Sequence, residues 1–168
     1  DRCFPIGSED VILQKTPFSF DASVWELFWW MVAGVPLMML EPGDEKEPRK
    51  ILAAIDEYAI TVVQFVPSLL KAVVEIVRSD GKGDLSTLRH LFCGGEALSP
   101  QLVKAFSRLP GVTSRIHNLY GPTEATIDAA WYSCPEDLPE VIPIGRPVDN
   151  TQLYVLDRFA HPQPVGVP

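Results

Sequence analysis

The sequence predicts an α/β fold, in which a mostly parallel sheet has helices on both faces and is followed by a short β-rich C-terminal part. The main observation is an alternation between about residues 12 and 118, where short apolar runs take turns with segments of helical periodicity. The links between them are short, which is typical of right-handed parallel crossovers. After Glu124 the helical periodicity stops, and segments 129–133 and 152–156 resemble strands around a proline-rich loop.

The first strand is predicted at 12–20, where apolar residues alternate loosely. A helix follows at 23–33 and ends at Gly34, a residue that is common just after a helix C-terminus. Ser23 and Glu26 have the spacing of a capping box, in which each side chain bonds the backbone N–H of the other residue. We therefore expect these two side chains to start the helix.

The next elements continue the alternation, with each strand predicted from an apolar run and each helix from its spacing. A strand buried on both faces is predicted at Val35–Leu40, and further strands at Ile60–Phe65, Leu88–Cys93 and Ser114–His117. Helices are predicted at Pro48–Ala59, Leu69–Arg78 and Gln101–Leu109. Ser99 and Pro100 are favoured residues at the start of the last helix.

The composition indicates one domain-sized core, with 168 residues of which 46% are hydrophobic. A net charge of −8 gives no support for a surface that binds nucleic acid or an anionic membrane. No apolar run reaches the roughly 18 residues of a membrane span. The three cysteines lack metal-type spacing and predict free thiols in the cytoplasm. Because the chain lacks an initiator Met and both ends fall in loop-like segments, we expect 1–168 to be a single partial domain, an internal fragment of a longer protein.

Four polar or glycine-containing segments follow predicted strands. They are Phe20-Asp21, Gln64-Phe65, Cys93–Glu96 and Asn118–Glu124. Ligands of parallel sheets bind beyond the carboxyl ends of the strands. We therefore expect these four segments to meet at one binding site.

The segment Asn118–Thr126 carries an aromatic ring, a hydroxyl and a carboxylate around a Gly-Pro turn. Tyr120 could stack on a base, the Thr123 hydroxyl could reach a phosphate oxygen, and Glu124 could hold a hard cation. Gly-Pro-Thr-Glu alone predicts equally well a simple hairpin loop that has polar side chains and binds no ligand.

Asn118–Glu124 taken together with Phe20–Glu26 resembles the adenylation domain of nonribosomal peptide synthetases. That family stands with acyl-CoA synthetases and luciferases among the adenylate-forming, AMP-binding enzymes. The resemblance extends over essentially the whole chain, including Pro143–Pro147 and Asn150–Gln152. Two motifs in the right order make the resemblance more specific than either motif alone.

The resemblance implies an enzyme with a two-step reaction. An amino-acid carboxylate attacks the α-phosphate of ATP, with Mg²⁺ bound, and gives an aminoacyl-adenylate and pyrophosphate. A phosphopantetheine thiol on a carrier domain then takes the acyl group. The implied partners are this carrier domain and a condensation domain of the same synthase. The family's upstream phosphate loop, its ribose-binding Asp and its C-terminal Lys are not found among these residues.

The resemblance also implies a nucleotide site, formed by Gly95, Glu96, Asn118, Tyr120, Gly121 and Thr123. Within it Tyr120 would stack on adenine, with Gly95 and Glu96 on the other side of the base. Thr123 would contact the phosphate and Glu124 would bind Mg²⁺. Thr123 and Glu124 are thus the implied catalytic residues.

Asp21 points to an amino acid as the substrate. The ammonium group of an amino acid needs a carboxylate partner when it is buried. The alternative role for Asp21 is a helix cap, but Ser23 fills that role in the predicted capping box. Acyl-CoA and aryl-CoA ligases act on acids without an ammonium group, so Asp21 argues against that alternative.

Nine residues match the amino-acid pocket of the family by motif position: Asp21, Ala22, Trp25, Gln64, Phe92, Gly94, Leu119, Ile127 and Asp128. Small residues leave space and apolar residues form walls, while Gln64 and Asp128 are polar. A side-chain amide can accept from Gln64 and donate to Asp128, so glutamine fits best. Glutamate is the second choice, since it requires Asp128 to be protonated or turned away. The nine-residue pattern also resembles pockets of glutamine-activating members.

A third hypothesis is a nucleotide-binding module without catalysis. Thr123 and Glu124 argue against it, because a site without catalysis has no need for the cation ligand. The presence of the family's phosphate loop and C-terminal Lys in the flanking sequence would decide between these hypotheses.

Overall fold

The computed structural model describes residues 3–164 and 166, which fold around one mixed sheet. Its strands are β1 (Ile12–Gln14), β2 (Leu37–Met39), β3 (Val62–Phe65), β4 (His90–Cys93), β5 (Arg115–Tyr120), β6 (Ala130–Ser133) and β7 (Arg146–Pro147). Its helices are α1 (Ser23–Ala33), α2 (Pro48–Glu57), α3 (Pro67–Asp80) and α4 (Pro100–Ser107). Short 3-10 helices lie at Asp44–Lys46 and Thr123–Ala125.

The strand order is β2-β1-β3-β4-β5-β6-β7. The first five strands in this order are parallel, whereas β6 and β7 join them antiparallel. Parallel strands need crossover connections, and helices supply them here. The predicted α/β class with a mostly parallel sheet is therefore confirmed.

Helices cover both faces of the sheet, as predicted. Alternate residues of a strand point to opposite faces, so Ile12 and Val62 pack with the tryptophans of α1 on one face. Leu13 and Val63 pack with α2, α3 and α4 on the other. These four side chains have no exposed surface. Each buried aliphatic side chain contributes about 1.5–3 kcal/mol of hydrophobic stabilisation, so both layers hold the sheet.

Two predicted helix ends are present. Gly34 follows α1 with a φ of 69°, in the left-handed region that glycine adopts without strain. The Ser99 hydroxyl accepts a hydrogen bond from the Leu102 backbone N–H at 3.2 Å, and Pro100 opens α4. Ser99 is thus the N-cap that the sequence predicted.

The capping box at Ser23 and Glu26 was a wrong prediction. Ala22 occupies the N-cap position of α1 and no side chain caps it. Glu26 is fully buried and accepts from the backbone N–H groups of Lys15 and Thr16 instead. The carboxylate found donors in the loop after β1, which is a tertiary contact that local spacing does not show.

The strand at 12–20 was predicted too long, since β1 ends at Gln14 and the chain then turns towards α1. The prediction that Val35–Leu40 is buried on both faces was also wrong. Its paired part, β2, lies at the edge of the sheet in this structure, and Met39 is 60% exposed. An apolar run shows that a segment is partly covered, but not where its strand stands in the sheet.

The strand predicted at 152–156 is absent. Within that segment the structure has one isolated bridge, between Leu156 and Pro162. The antiparallel part of the sheet is instead completed by β7, in which Arg146 pairs with Trp131. Pro147 ends this two-residue strand at the sheet edge, where a missing N–H does not interrupt a ladder.

The free thiols were predicted correctly, because Cys3, Cys93 and Cys134 form no disulfide. Of the helices described, none has the length and hydropathy needed to cross a membrane.

Candidate functional site

A cavity of about 570 Å³ opens at the carboxyl ends of β1, β3, β4 and β5. Each of the four segments that follow these strands contributes to its lining, through Asp21, Gln64, Gly94 and Gly121 among others. The expected convergence of these segments is therefore present. A parallel sheet places its ligand sites at this edge.

A second cavity of about 420 Å³ adjoins the first and has mostly apolar walls. The two cavities share Leu119, Ile127 and Asp128 as lining residues. All nine residues assigned to the amino-acid pocket line one or both of them. Trp25 and Phe92 line the apolar cavity, and the others not shared line the cavity at the strand ends: Asp21, Ala22, Gln64 and Gly94.

Backbone contacts fix the loop 121–128 against the end of β5. A Cβ atom at Gly121 would stand 1.9 Å from the Ile127 carbonyl oxygen, so only glycine fits there. Thr126 and Ile127 have φ angles of 60° and 79°, which are costly for β-branched residues, of order 1–3 kcal/mol each. The contact at Gly121 closes the loop in this shape, and the loop carries Asp128 to the cavity.

Gln64 is 6% exposed, and its side-chain oxygen accepts a hydrogen bond from Trp25 Nε1 at 2.5 Å. This bond joins α1 to the end of β3, at the boundary between the two cavities. The sequence assigned Trp25 only an apolar wall, and so missed its polar contact.

Asp128 is partly buried, and this burial raises its pKa to about 6, with a smaller contribution from the negative charge of Asp21. A carboxyl group with this pKa can serve as an acceptor above pH 6 and as a donor below it. The negative charge of Asp21 therefore opposes the ionisation of Asp128.

The Asp21 carboxylate accepts no hydrogen bond from the described residues, so the helix-cap alternative is not seen. We expected Ser23 to cap α1 in place of Asp21. The Ser23 hydroxyl is instead buried and has no hydrogen-bond partner among the described residues. Asp21 thus lines the cavity without capping α1, although Ser23 does not supply the predicted cap.

Sequence reasoning missed the role of Glu26 in holding the loop between β1 and α1. In addition to the two backbone N–H groups, its carboxylate accepts from the Thr16 hydroxyl at 2.7 Å. Lys15 is 8% exposed, and its Nζ lies 5.0 Å from the centroid of the Phe65 ring. Burial raises the pKa of Glu26 and lowers the pKa of Lys15. The charge of each residue opposes the shift of the other. One signal was available: a lone carboxylate inside an otherwise apolar helix, Ser23–Ala33.

The residues assigned to the nucleotide are more dispersed. Gly95, Glu96 and Gly121 line the cavity at the strand ends. The Glu96 carboxylate is already engaged, because it accepts from the Ser68 backbone N–H at 3.0 Å and from its hydroxyl at 2.8 Å. It thereby binds the first turn of α3, where negative charge is favourable.

Asn118 lines neither cavity. Its side-chain Nδ2 donates to the Pro143 carbonyl at 3.0 Å and ties β5 to the proline-rich loop. Tyr120 is 45% exposed at the end of β5. Thr123 and Glu124 are exposed on the 3-10 helix that follows the Gly-Pro turn, outside both cavities.

Glu124 is not part of a ready-made metal cage. The described residues contain no group of three or more His, Cys, Asp or Glu side chains that could hold a metal ion. Mg²⁺ is commonly held by one or two carboxylates together with substrate phosphates and water. A single exposed carboxylate such as Glu124 is compatible with that mode of binding.

Comparison with known proteins gives consistent findings. Residues 1–168 match the family described as AMP-binding enzyme. Enterobactin synthase component F of Escherichia coli O157:H7 is 44% identical over 170 residues, which cover 98% of this chain but 13% of that protein. The chain therefore spans a small part of this relative.

Two solved structures have the same fold. The nonribosomal peptide synthetase FmoA3 with AMPPNP bound has a TM-score of 0.87 and 27% identity, over 97% of this chain and 18% of its own. The Vibrio cholerae adenylation domain AlmE, in complex with glycyl-adenosine-5'-phosphate, has a TM-score of 0.79 and 25% identity, over 96% of this chain and 30% of its own.

Proposed function

Because the chain belongs to the AMP-binding enzyme family, we propose that it contributes the amino-acid site and part of the nucleotide site of an adenylating enzyme. The reaction joins an amino-acid carboxylate to the α-phosphate of ATP and releases pyrophosphate. The observation that carries this proposal is the open Asp21 carboxylate in the cavity where four strand-end segments converge. A substrate ammonium group is a partner that such a carboxylate can bind.

The nucleotide would lie along the exposed end of β5 and reach the rim of the cavity at Gly95, Glu96 and Gly121. Tyr120 offers its ring to adenine, and Thr123 offers a hydroxyl to a phosphate oxygen. Glu124 would hold Mg²⁺, which neutralises charge on the phosphates when it is bound. Reactions of this kind depend on positioning and on charge stabilisation, and need no protein nucleophile. The relative FmoA3 has been solved with AMPPNP bound, which supports a nucleotide as a ligand of the complete protein.

Glutamine is the amino acid that the polar lining favours. Asp128 can accept from a side-chain amide and Gln64 can donate to it, so both buried groups gain a partner. Apolar walls at Trp25, Phe92 and Leu119 suit the methylene groups of the side chain. Glutamate remains the second choice, since it needs the protonated form of Asp128.

We also propose that the acyl group passes to the phosphopantetheine thiol of a carrier domain in the same synthase, with a condensation domain as a further partner. The enterobactin synthase relative, of which this chain covers 13%, supports a multidomain setting. The free thiols support the cytoplasm as the location.

Amino-acid-dependent exchange of pyrophosphate into ATP tests the substrate assignment. Four amino acids, glutamine, glutamate, asparagine and leucine, should be compared in the complete protein that contains this chain. Asp21→Ala should depress exchange with every amino acid alike, because each carries the same α-ammonium group. Asp128→Ala should instead erode the preference for glutamine by roughly 1–3 kcal/mol.

Equal losses on all four amino acids in Asp128→Ala would remove this residue from the side-chain pocket. A wild-type preference for leucine would refute glutamine as the substrate and leave adenylation standing.

A further inference from the structure

The hydrogen bond between Trp25 and Gln64 fixes which end of an amide faces the cavity. An indole nitrogen only donates, so the group that it meets on Gln64 must be the side-chain oxygen. That oxygen lies 2.5 Å from Trp25 Nε1. The amide nitrogen of Gln64 therefore points away from the indole.

The Gln64 amide nitrogen has no acceptor among residues 3–164 and 166. Gln64 nevertheless lines the cavity at the strand ends, into which Asp21 and Asp128 also face. The geometry therefore leaves two donor hydrogens of Gln64 for the molecule that fills this cavity.

The indole of Trp25 is itself held in place. Its ring meets the ring of Trp29 edge-on at 5.7 Å between centroids and the ring of Phe92 at 5.4 Å. Phe92 in turn packs edge-on against Phe4, at 5.0 Å. These aromatic contacts hold the indole from two sides, so its N–H is directed at Gln64 before any ligand arrives.

We propose that Trp25 is a positioning residue that sets side-chain specificity, by holding Gln64 with its N–H donors towards the bound amino acid. The side chain of the bound amino acid must then offer an acceptor to Gln64, and the same group must donate to Asp128. A terminal amide meets both demands, whereas an aliphatic side chain leaves both buried groups unpaired. This inference rests on the proposed adenylation of an amino acid.

The test compares glutamine with norleucine, an unbranched amino acid of similar length without polar side-chain atoms. The quantity is the ratio of their kcat/KM values in pyrophosphate exchange by the complete protein. Trp25→Phe removes the indole donor and keeps an aromatic ring. Gln64→Met removes the amide and keeps the length of the side chain.

Trp30→Phe is the matched control. It deletes an indole N–H from the same helix, but that N–H donates to the Leu27 carbonyl at 2.9 Å, and Trp30 lines neither cavity. A loss of specificity that came only from loosening α1 would appear in this variant as well.

We expect Trp25→Phe to lower the ratio of glutamine to norleucine by roughly 10-fold, because Gln64 can then turn its oxygen towards the substrate. Gln64→Met should lower the ratio to a similar extent. In the Gln64→Met background, Trp25→Phe should change the ratio less than about twofold, because the two residues act as one unit. Trp30→Phe should keep the wild-type ratio.

An unchanged ratio in Trp25→Phe would overturn the inference, and so would losses that multiply in the double variant. A wild-type enzyme that prefers norleucine would also overturn it, while adenylation would stand. A wild-type enzyme without amino-acid-dependent exchange would refute the proposed function, and with it this inference.

Discussion

At the scale of single residues, Asp21 and Asp128 are the two carboxylates of the cavity at the strand ends that we assign to the amino acid. Asp21 is the proposed partner of the ammonium group that every amino acid carries. Asp128 belongs to the strained loop after β5, and burial together with the charge of Asp21 raises its pKa to about 6. Asp128 thus changes between acceptor and donor within a range of pH in which enzymes are commonly assayed.

The first prediction at this scale is a change of preference with pH. Above its pKa of about 6 the Asp128 carboxylate accepts from the amide of glutamine and repels glutamate. Below that value the protonated group can donate to the glutamate carboxylate, which itself stays ionised down to about pH 4.3. The ratio of kcat/KM for glutamine over glutamate should therefore fall as the pH is lowered from about 8 to about 5.5.

Asp128→Asn supplies the control, because an amide does not titrate. Its ratio should be nearly constant over the same range. If the variant kept the pH dependence of the wild type, another group would be responsible.

At the scale of elements, Glu26 connects helix α1 to the loop after β1. Its buried carboxylate satisfies the N–H groups of Lys15 and Thr16 and the Thr16 hydroxyl. The same loop carries Asp21 into the cavity. The position of the proposed ammonium site therefore depends on a residue that does not line the cavity.

The prediction at this scale compares two changes at Glu26, one that removes its hydrogen bonds and one that removes only its charge. Glu26→Ala should lower the free energy of unfolding by about 2–4 kcal/mol, because buried donors lose their acceptor. Glu26→Gln should cost much less, since its amide oxygen can still accept from both backbone N–H groups. Glu26→Ala should also raise the KM of all amino acids alike, and denaturant unfolding with exchange kinetics measures both effects.

Ser99→Ala is the matched control for stability. It removes the N-cap of α4, which costs about 1 kcal/mol, at a site that does not line the cavity. The account of Glu26 fails if Glu26→Ala raises KM no more than Ser99→Ala does.

At the scale of the whole molecule, the sheet gathers distant segments at one edge. Asp21, Gln64 and Asp128 lie far apart in the chain and line one cavity. This convergence could be predicted, because each segment follows an apolar run and parallel strands place their carboxyl ends together.

What could not be predicted has tertiary causes. The partners of Glu26 come from a loop ten residues upstream, and the spacing from Ser23 suggested a local bond instead. The two-residue strand β7 has no periodic pattern, so pairing was expected at 152–156, where the structure has only an isolated bridge. The bond from Trp25 to Gln64 joins residues 39 positions apart.

We propose that this chain helps to form an aminoacyl-adenylate, with Glu124 as the Mg²⁺ ligand. The most direct measurement is glutamine-dependent exchange of pyrophosphate into ATP by the complete protein, compared with Glu124→Gln at ordinary Mg²⁺ concentration. We expect exchange to depend on the amino acid and to fall on the order of 10²-fold or more in the variant, since the proposed metal ligand is lost. Near-normal exchange by Glu124→Gln, or wild-type exchange that does not depend on an amino acid, would contradict the account.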